Sequence, residues 1–221
     1  MSNNKNSLSL STIAKELGIK LVGGSGNETF NEISIDSRTL QPNDIFVALK
    51  GPANDGHDYL IEAKEKGAIA FVIEKDIAID KPYFLVKDGY KFLDLLAKYQ
   101  RDIFTGKVIG LTGSNGKTTT KEIIYSLLQK DGCHKTKGNK NNHIGVPLTL
   151  SSLSNNDNYA VIEIGTNSPG EISNLSAKAE PDVALILNAA ASHLEKLDSV
   201  ERLSLIHISE PTRPERIGGG G

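Results

Sequence analysis

Gly110–Glu122 reads GLTGSNGKTTTKE. Glycines stand at every third position, Gly110, Gly113 and Gly116, and Lys117 with three threonines follows. Upstream, KVIGLTG from Lys107 is an apolar run of strand length. Downstream, TTKEIIYSLLQKDG predicts a helix with Ile123, Ile124, Leu127 and Leu128 on one side, ended by Gly132. A glycine turn between strand and helix lets backbone N–H groups curl round an anion, and the positive helix end adds to the attraction. The stretch is therefore read as a phosphate cradle built from Gly113, Ser114, Asn115, Gly116, Lys117, Thr118 and Thr119. Lys117 supplies a point charge for the β/γ-phosphates, and the Thr118 hydroxyl suits magnesium. One feature departs from the general spacing: the glycine expected five positions before Gly116 is Leu111. A bare Gly-x-x-Gly-Lys-Thr is weak, and its bland reading is a turn that only starts a helix. The strand before it and the helix after it weigh against that.

The same pattern continues outward. YAVIEIG (159–165) and DVALILN (182–188) are near-continuous apolar strands, as in a parallel sheet covered on both faces, and SPGEISNLSAKA supplies a helix between them. Before the loop, the first hundred residues read as a self-contained mixed α/β region. STIAKELGI is a short helix that Ser11 can cap and Gly18 can end. FNEISIDSR, DIFVALKG, IAFVIE and YFLVKD are strands. DYLIEAKEKGA is helical, and YKFLDLLAKYQRDIF puts Phe92, Leu95, Leu96 and Tyr99 on one helix face. TGK at Thr105–Lys107 is the joint. The fold class is thus α/β, with a small mixed domain over 1–104 followed over 105–203 by a parallel-sheet phosphate-loop domain.

Composition narrows the class. A net charge of −2 gives no general attraction to nucleic acid or anionic membrane. The single cysteine, Cys133, cannot form an internal disulfide and fits a reducing compartment, where it reads as structural. No apolar run reaches signal-peptide or membrane-span length, so a cytoplasmic protein is expected. The end of the chain, LSLIHISEPTRPERIGGGG, has no periodicity and resembles translated read-through of a sequencing adapter. Residues 204–221 are read as a non-native tail, and a genuine disordered tail is the other reading.

Four segments together resemble the Mur ligase family, the ATP-dependent amide ligases of peptidoglycan precursor synthesis. They are DSRTLQPNDIFVALKG with DGHDYLIEAKEKGA, the glycine loop with its shortened spacing, TKGNKNNHIGVPLTL (136–150), and AVIEIGTNSPGEISNLSAKAEPDVALILNAAASHLEKLDSVE. The asparagine-rich third segment resembles the branch that joins D-alanyl-D-alanine to UDP-N-acetylmuramoyl-tripeptide. Leu187 departs from the family, which has Thr before the asparagine of that strand. The resemblance implies a UDP-sugar domain over 1–104 and a truncated ATP domain over 105–203. It implies ATP and Mg2+, those two small-molecule substrates, and a monomer at full length. It also implies catalysis by Lys117, Glu163 and His193, with Thr118, Glu163 and His193 as metal ligands. Ser37, Arg38, Asn139 and Asn142 are the implied substrate contacts. The family's carbamoylated lysine and amine-binding third domain have no counterpart here, so this chain alone is expected to be inactive.

Each assignment has a plainer reading. A glutamate at a strand end is usually a solvated rim residue, but Glu163 interrupts an apolar run. Asn139 and Asn142 could only shape a turn. Asp36 and Ser37 could do the same, with Arg38 structural. His57 reads as a polar group at a helix start, and nothing marks the His143 ring as functional. Lys135, Lys137 and Lys140 form a patch read as a solvated face. The competing functions are a UDP-sugar binding module without catalysis and another phosphate-loop enzyme such as a small-molecule kinase. The asparagine motif and the first domain argue against the kinase.

Overall fold

The computed structural model describes residues 8–165 and 168–188. The chain divides into two compact units: residues up to Gly106 with Pro147–Asn158, and Lys107–Val146 with the chain from Tyr159 on. His193 and residues 204–221 lie outside the described residues.

The first unit is built on five strands, β1 (Lys20–Val22), β2 (Ile33–Ser34), β3 (Ile45–Val47), β4 (Ala70–Ile73) and β5 (Tyr83–Leu85), in the order β1-β5-β4-β3-β2. All neighbours run parallel except β1, which is antiparallel to β5. Every residue of β3 and β4 is buried, as expected for central parallel strands. Phe46 and Phe71 meet edge-on with ring centroids 6.3 Å apart in a cluster with Leu40, Leu60 and Ala63. Three helices accompany the sheet: α1 (Leu10–Leu17), α2 (Leu60–Glu65) and α3 (Gly89–Ile103). Phe84 of β5 packs on Phe92 of α3 at 5.7 Å.

Two local expectations change. The cap of α1 is Ser9, whose Oγ accepts from Thr12 N at 3.2 Å, because Ser11 already lies inside the helix. On α3 the buried set is Phe92, Leu93, Leu96 and Ala97, and Leu95 is exposed. The face is rotated toward Leu93 relative to the three/four count.

Among the described residues, the second unit has four parallel strands, β6 (Lys107–Thr112), β7 (Cys133–Lys135), β8 (Tyr159–Glu163) and β9 (Val183–Ile186), in the order β7-β8-β6-β9. Helix α4 (Lys117–Leu128) joins β6 to β7, and α6 (Glu171–Ala179) joins β8 to β9, while α5 (Gly145–Leu150) spans the division between the units. The two crossovers run in opposite directions across the sheet. Right-handed connections then put α4 and α6 on opposite faces. Adjacent strands β6 and β8 thus send their chains to opposite faces, which makes the gap beyond their carboxyl ends a topological switch point.

The apolar side expected for α4 is not buried: Leu127 is 73% exposed and Ile123 also faces outward, while Lys121 is fully buried. Strand β9 lies at the edge of the sheet among the described residues, with Val183 and Ile186 about half exposed, so it is not covered on both faces as its apolar run predicts.

Candidate active site

The register of the sheet decides what meets at the switch point. Leu111 of β6 pairs with Glu163 of β8, and Ile164 N donates to Leu111 O at 2.9 Å. The glycine loop therefore leaves β6 beside the last residue of β8. Gly113 turns there with φ 147°, and a Cβ on it would sit 3.1 Å from Leu187 Cβ and 3.2 Å from Asn188 N. Only glycine combines that conformation with that closeness. Asn188 pins the loop: its O accepts from Ser114 N at 3.1 Å and its Oδ1 from Asn115 N at 3.0 Å. Helix α4 starts after Gly116 with no side-chain cap. The first amides of a helix have no intrahelical acceptor, so this end presents N–H groups and the positive dipole terminus together.

Lys117 lies over the loop, its Nζ donating to Gly113 O at 2.5 Å and to Ser114 O at 3.4 Å. Thr118 reaches across to β8, with Oγ1 3.2 Å from Glu163 Oε2 and 3.5 Å from Oε1. Glu163 is not a solvated rim residue: it is 1% exposed. Its Oε1 accepts from Asn141 Nδ2 at 2.8 Å, its Oε2 lies 3.2 Å from Lys121 Nζ, and its backbone N donates to Thr136 Oγ1 at 2.9 Å. A buried carboxylate needs such partners. Two hard oxygen donors, a hydroxyl and a carboxylate, side by side beside a helix N-terminus fit magnesium, which binds through one or two protein oxygens plus phosphates.

Within the asparagine segment the turn-shaping role falls to Asn142. Asn142 Oδ1 accepts from Ile144 N and Gly145 N at 3.1 and 2.9 Å, opening α5. Asn139 is exposed. Asn141, which the sequence did not single out, reaches Glu163. It can do so because Gly165 lacks a side chain: a Cβ there would lie 2.6 Å from Asn141 Oδ1, and Gly165 N donates to Asn141 O at 2.7 Å. Lys121 is the other missed residue. Three asparagines in four positions and a lysine on an amphipathic helix carry no local mark of which one turns inward.

In the first unit, Ser37 is buried and its Oγ donates to Glu62 Oε2 at 3.0 Å, while its carbonyl accepts from Lys66 Nζ at 2.9 Å. Arg38 is exposed and forks onto Asp36, with Nε and Nη2 at 2.9 and 2.7 Å. Hydrogen bonding to Arg38 holds the Asp36 carboxyl below its ordinary range. His57 is held on both ring nitrogens, Nδ1 2.6 Å from Asp55 Oδ1 and Nε2 accepting from Glu74 N at 3.0 Å, as suits a structural histidine. Lys135 pairs with Glu122 and lies 3.9 Å over the Tyr125 ring.

Two family models match the chain: "Mur ligase family, catalytic domain" over residues 29–101 and "Mur ligase middle domain" over 111–205. The chain is 40% identical over 195 residues to the UDP-N-acetylmuramoyl-tripeptide–D-alanyl-D-alanine ligase of Escherichia coli, covering 88% of this chain and 43% of that one. The Bacillus subtilis ligase of the same name is 41% identical, covering 78% of this chain and 38% of the relative. Among solved structures, MurF of Acinetobacter baumannii superposes with a TM-score of 0.78 at 32% identity, covering 90% of this chain and 44% of that one. MurF of Thermotoga maritima in complex with ADP gives 0.66 at 38% identity, with 80% of this chain and 42% of that one covered. The chain thus spans about two fifths of the length of the relatives it matches. Among the described residues no helix is long and apolar enough to cross a membrane.

Proposed function

The chain belongs to the Mur ligase family, and on that premise we propose that it is part of an ATP-dependent ligase joining D-alanyl-D-alanine to UDP-N-acetylmuramoyl-tripeptide. The closeness of Thr118 to Glu163 beside an uncapped helix N-terminus at the switch point carries this reading. The relatives' names and the ADP held by one structural neighbour support it.

In this reaction the tripeptide's terminal carboxylate oxygen takes the γ-phosphoryl group of ATP, releasing ADP. The dipeptide amine then attacks the acyl carbon, the C–N bond forms, the C–O bond to phosphate breaks, and the amine gives up a proton. The transfer asks mainly for positioning and for stabilising charge that moves between two anions. Amides of the α4 first turn and Lys117 hold the β/γ-phosphates. Thr118 and Glu163 would hold Mg2+, which would supply neutralising charge on the phosphate oxygens. His193, which lies outside the described residues, would be a further ligand of the metal. The first unit takes the UDP-sugar, with Ser37 and Arg38 at the edge of that pocket, while Asn139 and Asn142 face the peptide end. The setting is cytoplasmic.

Titration calorimetry of the chain with ATP or ADP tests the nucleotide site. Binding that requires Mg2+ and is lost in Lys117→Ala is expected. Binding that ignores either the metal or the substitution would overturn the reading.

A further inference from the structure

Lys121 is a buried cation that the proposed chemistry does not use. It lies on α4, one turn beyond Lys117, and its side chain is fully buried. Nζ sits 3.2 Å from Glu163 Oε2 and donates to Gly138 O at 2.5 Å. Among the described residues its other ion-pair partner, Glu122 at 3.8 Å, is half exposed and already paired with Lys135. The ammonium is therefore held on both sides, by a carboxylate from β8 and by a carbonyl from the turn after β7. It cannot swing away without leaving a buried charge unpaired, which is strongly unfavourable.

This placement alters what Glu163 offers a metal. Oε1 is engaged by Asn141, and Oε2 is shared between Thr118 and Lys121. The Thr118–Glu163–Lys121 group is formally neutral. A divalent cation coming to the two oxygens meets the right ligand atoms but no net negative charge, and a fixed ammonium stands a few ångströms off. Repulsion at that range in a buried site is large compared with thermal energy. The protein supplies geometry there, and the attracting charge must come from elsewhere. The triphosphate is the natural source.

We propose that Lys121 cancels the charge of Glu163 so that a divalent cation is held at Thr118 and Glu163 only together with nucleotide phosphates. The inference rests on the ligase reading, since it takes those two residues as the metal's protein ligands. It makes metal and nucleotide strongly coupled, and coupling between two binding events is reciprocal. The factor by which nucleotide tightens the metal is also the factor by which the metal tightens nucleotide. Lys121 thus acts as a positioning residue, keeping an isolated metal off the site until a phosphate chain arrives.

The test uses Mn2+ as a paramagnetic probe on the full chain, without nucleotide and with ADP. In the unsubstituted chain without nucleotide, Glu163→Gln should leave Mn2+ binding unchanged, because Glu163 contributes none. Lys121→Met should then gain Mn2+ affinity by tenfold or more without nucleotide, and Glu163→Gln in that background should remove the gain. Lys121→Arg, which keeps the charge, should behave like the unsubstituted chain. Nucleotide-free Mn2+ binding that Glu163→Gln abolishes in the unsubstituted chain overturns the proposal, and this comparison decides the matter even if Lys121→Met does not fold. Unchanged nucleotide-free affinity in a folded Lys121→Met also overturns it. If Mg2+-dependent ADP binding sensitive to Lys117 is missing altogether, the ligase reading fails instead, and the proposal falls with it.

Discussion

Asn141 is the side chain on which the geometry of Glu163 turns. Its Nδ2 donates to Oε1 at 2.8 Å, and hydrogen bonds to a carboxylate are among the stronger ones in proteins. Gly165 makes room for it, since a Cβ there would come within 2.6 Å of Asn141 Oδ1 and 3.1 Å of Asn141 O. Gly165→Ala should therefore push Asn141 off Glu163 and destabilise the chain by about 1–3 kcal/mol, the usual range for overpacking. Asn141→Ala removes the two nearest of the three crowding atoms, Oδ1 at 2.6 Å and Cγ at 2.8 Å, and leaves the backbone O. The pair should be non-additive, with Gly165→Ala less damaging in the Asn141→Ala background. Urea unfolding of both single variants and the double variant measures this; strict additivity would mean that the two residues do not share the space described.

At the scale of elements, one turn of the first unit contributes a pH response of its own. Gly56–Tyr59 is a short 3-10 turn whose N-terminus is capped by Asp55, and Asp55 Oδ1 accepts from His57 N at 3.0 Å. That backbone hydrogen bond, with the His57 ring second, lowers the Asp55 carboxyl from 3.8 to about 2. A lowered carboxylate pKa stabilises the fold above the unfolded value and loses its effect as pH falls through the folded one. Asp55→Asn should thus be less stable than the unsubstituted chain at pH 5 and above. The difference should narrow from pH 4 downward and vanish only below about pH 2. Denaturation midpoints across that range give the answer, and a deficit that persists unchanged at pH 2 contradicts the assignment.

The same scale shows what the sequence could reveal. Strands β3, β4, β6 and β8 were legible as apolar runs, and the loop was legible because glycine spacing and helix start are local. The buried face of α4 was not. Periodicity marked Ile123 and Leu127, yet both are exposed and Lys121 is inside. A lysine is buried here because Glu163 arrives from a strand 42 positions on, and local sequence does not carry that pairing. The caps tell the same story in miniature: Ser9 and Ser11 are equivalent by type, and only the backbone conformation of Ser9 chooses between them.

For the whole molecule, the division into two units makes the proposed assignments separable. Residues 107–146 and those from Tyr159 on form the unit with the glycine loop, and residues 147–158 belong with the first hundred. Gln100 Nε2 donates to Ser151 O at 3.3 Å, and Asn155 ties Thr105 N and Ile103 O at 3.0 and 3.1 Å. A ligand that binds only the native form stabilises it by an amount that grows with the logarithm of its concentration, about 2.7 kcal/mol at a hundredfold excess over Kd. Hydrogen exchange should read this element by element. Mg2+ with ADP should slow exchange in β6, the first turns of α4 and the 136–142 segment. It should leave 147–158 unchanged, although that stretch lies between β7 and β8 in sequence. UDP-N-acetylmuramoyl-tripeptide should protect strands of the first unit instead. Protection by ADP that reached 147–158 as strongly as β6 would show that the segment responds as part of the nucleotide unit, and the division by contacts would then not be a division of function.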